Sequence, residues 1–160
     1  MYIHAYICIM KLEDALKTSK FNNEVHKATL NILYTSYWMR DNISASMKEL
    51  GITSEQFNIL RILKGKHPEP MCVKDIASRM IEKSSNVPRI IDRLVAKSLV
   101  SRTPSKEDKR ETLIALTDGG QTMLQKANKM MEATQTSIIG INNEEALQLN
   151  TLLEKLRKND

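Results

Sequence analysis

The 160-residue chain has little cysteine, few aromatic residues and no long apolar run. Two cysteines are too few for a disulfide framework. No apolar stretch reaches the roughly 18 residues that a membrane-spanning helix needs. The apolar start MYIHAYICIM lacks the basic region and the cleavage motif of a signal peptide. These absences predict a cytoplasmic protein with no membrane partner and an aliphatic core.

The sequence also lacks the patterns of catalysis and of cofactor or metal binding. It contains no glycine-rich phosphate loop and no candidate nucleophile with histidine and acid partners. His4 and Cys8 have the spacing of two metal ligands on a helix, but two ligands do not make a site. His26 and His67 are isolated. We therefore expect no enzyme activity, no cofactor and no metal.

The positive charge of the chain is concentrated in residues 83–110. Eight basic and three acidic side chains give this segment a net charge of +5, which equals the +5 of the whole chain. A run of charge is often only a solvated face. A cationic excess confined to one compact segment is typical of a surface that binds a polyanion.

Apolar residues recur at intervals of three and four over most of the chain, which predicts helices. Pro88 fits only a first helical turn, so the fourth helix is expected to start near Ser84 or Ser85. Residues 99–102 and 112–116 are predicted to be two strands joined by a polar loop. The predicted helices cover residues 22–50, the stretch from Thr53 to Gly65, residues 73–80, the stretch from Ser84 or Ser85 to Lys97, the stretch from Thr117 to Gly140, and residues 143–157.

This order predicts a mainly α fold with a small β-hairpin wing. Two helices joined by a short turn and followed by a hairpin make a winged helix-turn-helix. An α-helix fits the DNA major groove, where each base pair presents a distinct pattern of donors and acceptors. The long apolar stripes of the first and last helices are expected to pack against a second copy of the chain, with intramolecular packing as the alternative.

The helix over residues 84–97 carries basic and polar residues on the face opposite its apolar stripe. Ser85, Asn86 and Arg89 lie in its first turns, where recognition helices contact bases. Arginine pairs bidentately with guanine and asparagine with adenine, so these residues are predicted to read the major groove. Arg93 and Lys97 lie further along and are predicted to contact phosphates.

The loop of the predicted hairpin is cationic. It contains Lys106, Lys109 and Arg110 beside Asp108, and all four are assigned to the DNA-binding surface. The minor groove attracts arginine through its negative potential, so Arg110 is predicted to enter it while Lys106 contacts the backbone. Asp108 is predicted to hold the Arg110 guanidinium by charge-assisted hydrogen bonds. The alternative is a solvated loop with a weak, exposed ion pair.

The wing segment resembles the signature of the MarR family of bacterial transcription regulators. The runs DIASRM and DRLVAKSLV are similar to the family's helix pair, and the resemblance covers residues 24–157. It implies a single domain with residues 1–21 as an N-terminal extension, 22–50 and 118–157 as dimerisation helices, and 53–117 as the winged-helix lobe. The matching wing residues are Leu99, Val100, Arg102, Asp108, Arg110, Leu116, Thr117 and Gly120.

The resemblance implies a homodimer that binds pseudo-palindromic promoter DNA, usually as a repressor. Release by a small phenolic or other aromatic ligand, or by oxidation, is common in the family. The family's ligand pocket lies between the long first helix and the DNA-binding lobe. Tyr34, Tyr37 and Trp38 lie on that helix here and are candidates to line a pocket for an aromatic effector. Ordinary packing in the core or the dimer interface is the alternative.

The sequence departs from the family pattern at three positions. Ser98 stands where the family usually ends the recognition helix with glycine, which makes that helix end less favourable. Lys109 replaces the commoner arginine, and Pro88 replaces a small hydroxyl residue. A winged-helix protein-interaction module without specific DNA readout remains the second functional hypothesis. Steeply salt-dependent DNA binding would distinguish the two.

Overall fold

The computed structural model describes residues 10–83, 86–105, 107–108 and 110–157. Contacts divide the chain into two compact units, one ending at Asn42 and the other beginning at Ile43. The predicted class, mainly α with a hairpin wing, is confirmed. The elements of the described residues are α1 (Leu12–Leu16), α2 (Glu24–Glu49), α3 (Ser54–Lys64), β1 (Met71–Cys72), α4 (Val73–Ser78), α5 (Val87–Ala96), β2 (Val100–Pro104), β3 (Thr112–Leu116), α6 (Asp118–Ile138) and α7 (Asn143–Leu156).

The N-terminal unit contains a short helix, α1, inside the stretch that the sequence assigned only to an extension. Lys27 of α2 connects to this helix, because its Nζ lies 2.5 Å from Glu13 Oε1. The same ammonium lies 5.6 Å from the centre of the Phe21 ring. The hydrogen bond from Lys27 lowers the pKa of Glu13. A helix of five residues is too short to show a period, so the sequence pattern did not predict it.

Helix α3 begins with the predicted capping box. The Gln56 N–H donates to Thr53 Oγ1 over 3.2 Å, and the Thr53 N–H donates to Gln56 Oε1 over 3.1 Å. Ile59, Leu60 and Leu63 of α3 are almost fully buried, and each such side chain stabilises the fold by about 1.5–3 kcal/mol. Helix α3 packs against α5, α6 and β3, so it contacts both the second helix of the helix-turn-helix and a strand of the wing.

Three antiparallel strands form one sheet in the order β1–β3–β2. In the hairpin, Val100 of β2 lies opposite Leu116 of β3. The third strand, β1, pairs Met71 with Ile114 of β3 and was not predicted. It consists of two residues, too few to show the alternation by which strands are recognised, and its partner is distant in sequence. This pairing fixes the start of α4 to the base of the wing.

Helix α5 starts two to three residues later than predicted, at Val87. Asn86 is its N-cap and Pro88 lies in the first turn, where a missing N–H is tolerated. The prediction was early because proline is compatible with several positions of a first turn. Val87 and Ile91 are buried against the core, which leaves the opposite face of the helix exposed.

The C-terminal end of α5 is a Schellman motif. The Ser98 N–H donates to Val95 O over 2.8 Å, and the Leu99 N–H donates to Leu94 O over 3.0 Å. Leu94 and Leu99 are both buried and complete the motif's apolar contact. Ser98 has a φ of 57°, in the left-handed region that favours glycine.

Helix α6 begins immediately after β3 and passes very close to the end of α5. Thr117 caps α6 by accepting a 3.0 Å hydrogen bond from the Gly120 N–H. A Cβ atom on Gly120 would lie 2.0 Å from the carbonyl oxygen of Leu99 and 2.8 Å from Leu116 Cδ1. Only glycine fits this approach, which explains the glycine of the wing signature.

Helix α7 has a polar start and an apolar stripe that this single chain leaves uncovered. Asn142 caps it by accepting hydrogen bonds from the N–H groups of Glu144 and Glu145. None of the residues of α7 is buried. Its exposed apolar side chains are Leu147, Leu149, Leu152 and Leu156.

Candidate nucleic-acid interface

The exposed face of α5 presents two guanidinium groups, those of Arg89 and Arg93. These residues are one turn apart, and both lie opposite the buried side chains of Ile91 and Leu94. Neither guanidinium forms an ion pair with the described part of the chain. Asn86, at the start of the helix, is also exposed. Two cations that have no counter-charge among the described residues are suited to an anionic ligand.

Asp92 lies between these arginines in sequence but is engaged elsewhere. Its Oδ1 accepts a 2.6 Å hydrogen bond from Nη2 of Arg102 on β2. Both side chains are about half exposed, so the ion pair alone contributes little stability, about 0–1 kcal/mol. Its effect is geometric, because it connects the recognition helix to a strand of the wing. It also neutralises Arg102, which belongs to the basic segment of residues 83–110.

Lys97 lies at the C-cap of α5, and its ammonium points to the turn between α2 and α3. Its Nζ donates to the carbonyl oxygen of Gly51 and to Gln56 Oε1, the latter over 3.3 Å. Gln56 is 2% exposed. The structure therefore gives the exposed Lys97 two partners within the protein, and the phosphate contact that the sequence predicts for it stays a prediction.

Hydrogen bonds connect the described residues near the tip of the wing. Ser105 Oγ accepts hydrogen bonds from the N–H groups of Glu107 and Asp108, over 3.2 and 3.3 Å. The Ser105 N–H donates to the carbonyl oxygen of Glu111 over 3.0 Å. This last hydrogen bond extends the pairing of β2 with β3 by one residue on each side.

The predicted pairing of Asp108 with Arg110 is confirmed. Nε and Nη2 of Arg110 donate to the two carboxylate oxygens of Asp108, each over 3.1 Å, in a bidentate arrangement. These side-chain hydrogen bonds, and one from the Arg110 N–H, hold the pKa of Asp108 below its ordinary value. The Arg110 side chain is nonetheless 91% exposed. Asp108 orients this cation without removing it from solvent.

Three residues assigned to DNA binding, Ser85, Lys106 and Lys109, lie outside the described residues. A further cation, which the sequence did not indicate, lies beside the wing. Lys74, on α4, lines a surface cavity of about 230 Å³ together with Arg110. Lys74 is outside the basic segment of residues 83–110, and only the pairing of β1 with β3 brings it to the wing.

The aromatic residues proposed for an effector pocket lie in the N-terminal unit, on α2. Tyr34, Tyr37 and Trp38 are 37%, 57% and 38% exposed. The Arg40 guanidinium lies 4.7 Å from the centre of the Tyr37 ring. Of the surface cavities, the one of about 320 Å³ is lined by other residues, those at the end of α2 and the start of α3. The effector therefore stays a prediction.

No group of three or more histidine, cysteine, aspartate or glutamate residues in the described part of the chain is arranged to hold a metal ion. None of the helices in the described ranges is both long and apolar enough to cross a membrane.

Comparisons with known proteins agree with the geometry of the helix and the wing. The family model described as MarR family matches residues 52–112. The HTH-type transcriptional repressor MdtR of Bacillus subtilis is 34% identical over 112 residues, which cover 69% of this chain and 71% of the relative.

Two solved structures share the fold. A MarR mutant from E. coli complexed with operator DNA has a TM-score of 0.71 and 22% identity, with 87% of this chain and 99% of that chain covered. BpsR of Bordetella bronchiseptica, whose DNA binding is regulated by 6-hydroxynicotinic acid, has a TM-score of 0.69 and 22% identity, with 81% and 93% covered.

Proposed function

The chain belongs to the MarR family and is a transcription regulator, and from this premise we propose that it represses transcription by binding a pseudo-palindromic promoter site as a homodimer. The relative MdtR is named as a transcriptional repressor, and a regulator of this kind is not an enzyme. We propose that the protein is located in the cytoplasm, in the same compartment as the DNA that it binds.

The observation that carries this proposal is the pair of guanidinium groups on the exposed face of α5, neither of which has an ion-pair partner in the part of the chain that the structure describes. Arg89, near the start of the helix, is our candidate for a bidentate contact with guanine, and Asn86 for a contact with adenine. Arg93, one turn further, is our candidate for a phosphate contact. Ser85 is proposed as a third reading residue from its position in the sequence alone.

The wing supplies the second contact. We propose that Arg110 enters the minor groove, with Asp108 holding the guanidinium in place before DNA arrives. Pre-ordering of this side chain reduces the conformational entropy that binding costs. From the sequence alone, Lys106 is proposed as a backbone contact and Lys109 as part of the DNA-binding surface. Lys74 is added because it lines the same cavity as Arg110.

The homodimer is supported by the exposed leucine residues of α7. Leu149, Leu152 and Leu156 are 45%, 63% and 53% exposed in the single chain, and their spacing of three and four residues places them on one face of the C-terminal part of α7. Soluble proteins rarely leave such a stripe uncovered, and a second copy would bury it. A two-fold dimer would place two recognition helices about 34 Å apart, one turn of DNA. Light scattering that shows a monomer at micromolar concentration would contradict this arrangement.

A small aromatic effector is proposed on the exposed aromatic side chains of α2. BpsR, which shares the fold, responds to 6-hydroxynicotinic acid. The chain contains one tryptophan, Trp38, so quenching of tryptophan fluorescence would report directly on a ligand at this place. Aromatic acids and phenols that release the DNA without quenching Trp38 would put the ligand elsewhere.

The experiment that tests the function is selection of random DNA duplexes at about 150 mM salt, followed by sequencing of the bound pool. An enriched inverted repeat with half-sites about ten base pairs apart is the expected result. Binding without an enriched motif, or no binding at this salt concentration, would favour the winged-helix protein-interaction module instead.

A further inference from the structure

The ammonium of Lys97 joins the ends of three helices in the C-terminal unit. Lys97 is the C-cap of α5, Gly51 directly follows the last turn of α2, and Gln56 belongs to the capping box of α3. The carbonyl oxygen of Gly51 and Gln56 Oε1 both accept hydrogen bonds from Lys97 Nζ. The C-terminal end of a helix carries partial negative charge, which favours a cation beside Gly51.

This contact lies at the end of α5 that is far from the reading residues, so a small rotation of the helix about it displaces those residues. Asn86 and Lys97 are at opposite ends of the helix, eleven residues or about 16 Å apart. A rotation of about 5° around the anchored end would move the reading end by about 1.4 Å, enough to break a hydrogen bond to a base. The contact at Lys97 therefore influences how the other end of α5 meets DNA.

We propose that Lys97 is a positioning residue: it fixes the C-terminal end of the recognition helix to the turn between α2 and α3, and it does not bind phosphate. The inference rests on the proposed function, because it concerns how the DNA-reading end is held. It also connects α5 directly to the end of the long helix α2. A displacement of that end of α2 would then be transmitted to the reading residues through one side chain.

The test compares Lys97→Met with Arg93→Met on the selected operator and on random duplex DNA. Methionine keeps the aliphatic length of either side chain and removes the charge. For Lys97→Met we expect operator affinity to fall about tenfold, the discrimination typical of one well-oriented base contact. Affinity for random DNA and the slope of log affinity against log salt should stay unchanged. Arg93→Met, the matched control, should lower both affinities and make the slope shallower by about 0.9.

Amide hydrogen exchange gives a measurement that does not depend on DNA. In Lys97→Met, we expect faster exchange in residues 50–56, the turn that accepts the hydrogen bonds, although the substitution is more than forty residues away. This measurement stays valid even if Lys97→Met changes the thermal stability of α5, because residues 50–56 lie outside that helix. Arg93→Met should leave exchange in residues 50–56 unaltered.

Each outcome decides the inference. Equal losses on operator and random DNA, with a shallower salt slope, would show that Lys97 is a phosphate contact and overturn the proposal. An unchanged ratio of operator to random affinity would overturn it as well. If the wild-type protein shows no preference for any duplex, the proposed function fails. Faster exchange in residues 50–56 would then still support the connection made by Lys97, and unchanged exchange would refute it.

Discussion

Ser98, at the end of the recognition helix, has a left-handed backbone conformation. This predicts that glycine at position 98 makes the protein more stable. Ser98 has a φ of 57°, and its N–H is already used in the Schellman motif. Its carbonyl oxygen accepts a 2.8 Å hydrogen bond from Thr117 Oγ1. Ser98→Gly keeps these backbone hydrogen bonds and removes the side chain, whose Cβ disfavours the left-handed conformation.

The magnitude follows from two opposing effects. A left-handed conformation costs a residue other than glycine about 1–2 kcal/mol. Glycine loses more backbone freedom on folding, which offsets about 0.5–1 kcal/mol of that gain. We therefore expect Ser98→Gly to raise the free energy of unfolding by about 0.5–1 kcal/mol, or the melting temperature by about 1–4 °C for a chain of this size.

The assay is thermal and urea unfolding at one fixed protein concentration, because a dimer's stability depends on concentration. Ser101→Gly is the matched control. Ser101 is exposed in β2, and positive φ among described residues other than glycine occurs only at Lys17 and Ser98. This control should lose about 0.5–1 kcal/mol. If Ser98→Gly is no more stable than the wild type, or loses as much as the control, the reasoning about the left-handed position is wrong.

Four further predictions concern packing, DNA binding, pH and assembly. Gly120→Ala should destabilise the fold by at least about 3 kcal/mol in urea unfolding, since its Cβ would lie 2.0 Å from the Leu99 carbonyl oxygen; wild-type stability would refute the close approach. Arg110→Ala should weaken operator binding by about 1–3 kcal/mol in a titration and leave the dimer folded; unchanged affinity would contradict the wing's role. Arg110 lowers the pKa of Asp108, so the pair stabilises the wing at pH values above the ordinary aspartate pKa. This stabilisation is lost as the pH falls through the lowered pKa of Asp108. A carboxyl NMR titration should therefore show a higher midpoint in Arg110→Ala than in the wild type, and an equal midpoint would count against the pair. Leu152→Glu should give a monomer in light scattering, because the charge would lie in the proposed interface; an intact dimer would place the interface elsewhere.

Local sequence patterns predicted the features that depend on neighbouring residues. The capping box at Thr53 and the pairing of Asp108 with Arg110 each involve residues two or three positions apart, and the structure contains both. Ser98 was expected to strain a helix end from a single departure in the wing signature, and its φ is indeed left-handed. The start of α5 was misplaced because Pro88 is compatible with several positions of a first turn.

The sequence by itself determined the fold class, because hydrophobic periodicity and turn residues act locally and every helix of the winged lobe shows them. It also located the basic segment from which the candidate DNA-binding residues come. Only the tertiary structure decided which of those cations have partners among the described residues, and which cation from outside the segment lies beside them. Asp92 neutralises Arg102, the turn before α3 engages Lys97, and β1 brings Lys74 to the wing. For Lys97 and Lys74 the partners lie more than thirty residues away in the chain, and a local pattern contains no information about which distant side chains folding will bring into hydrogen-bonding distance.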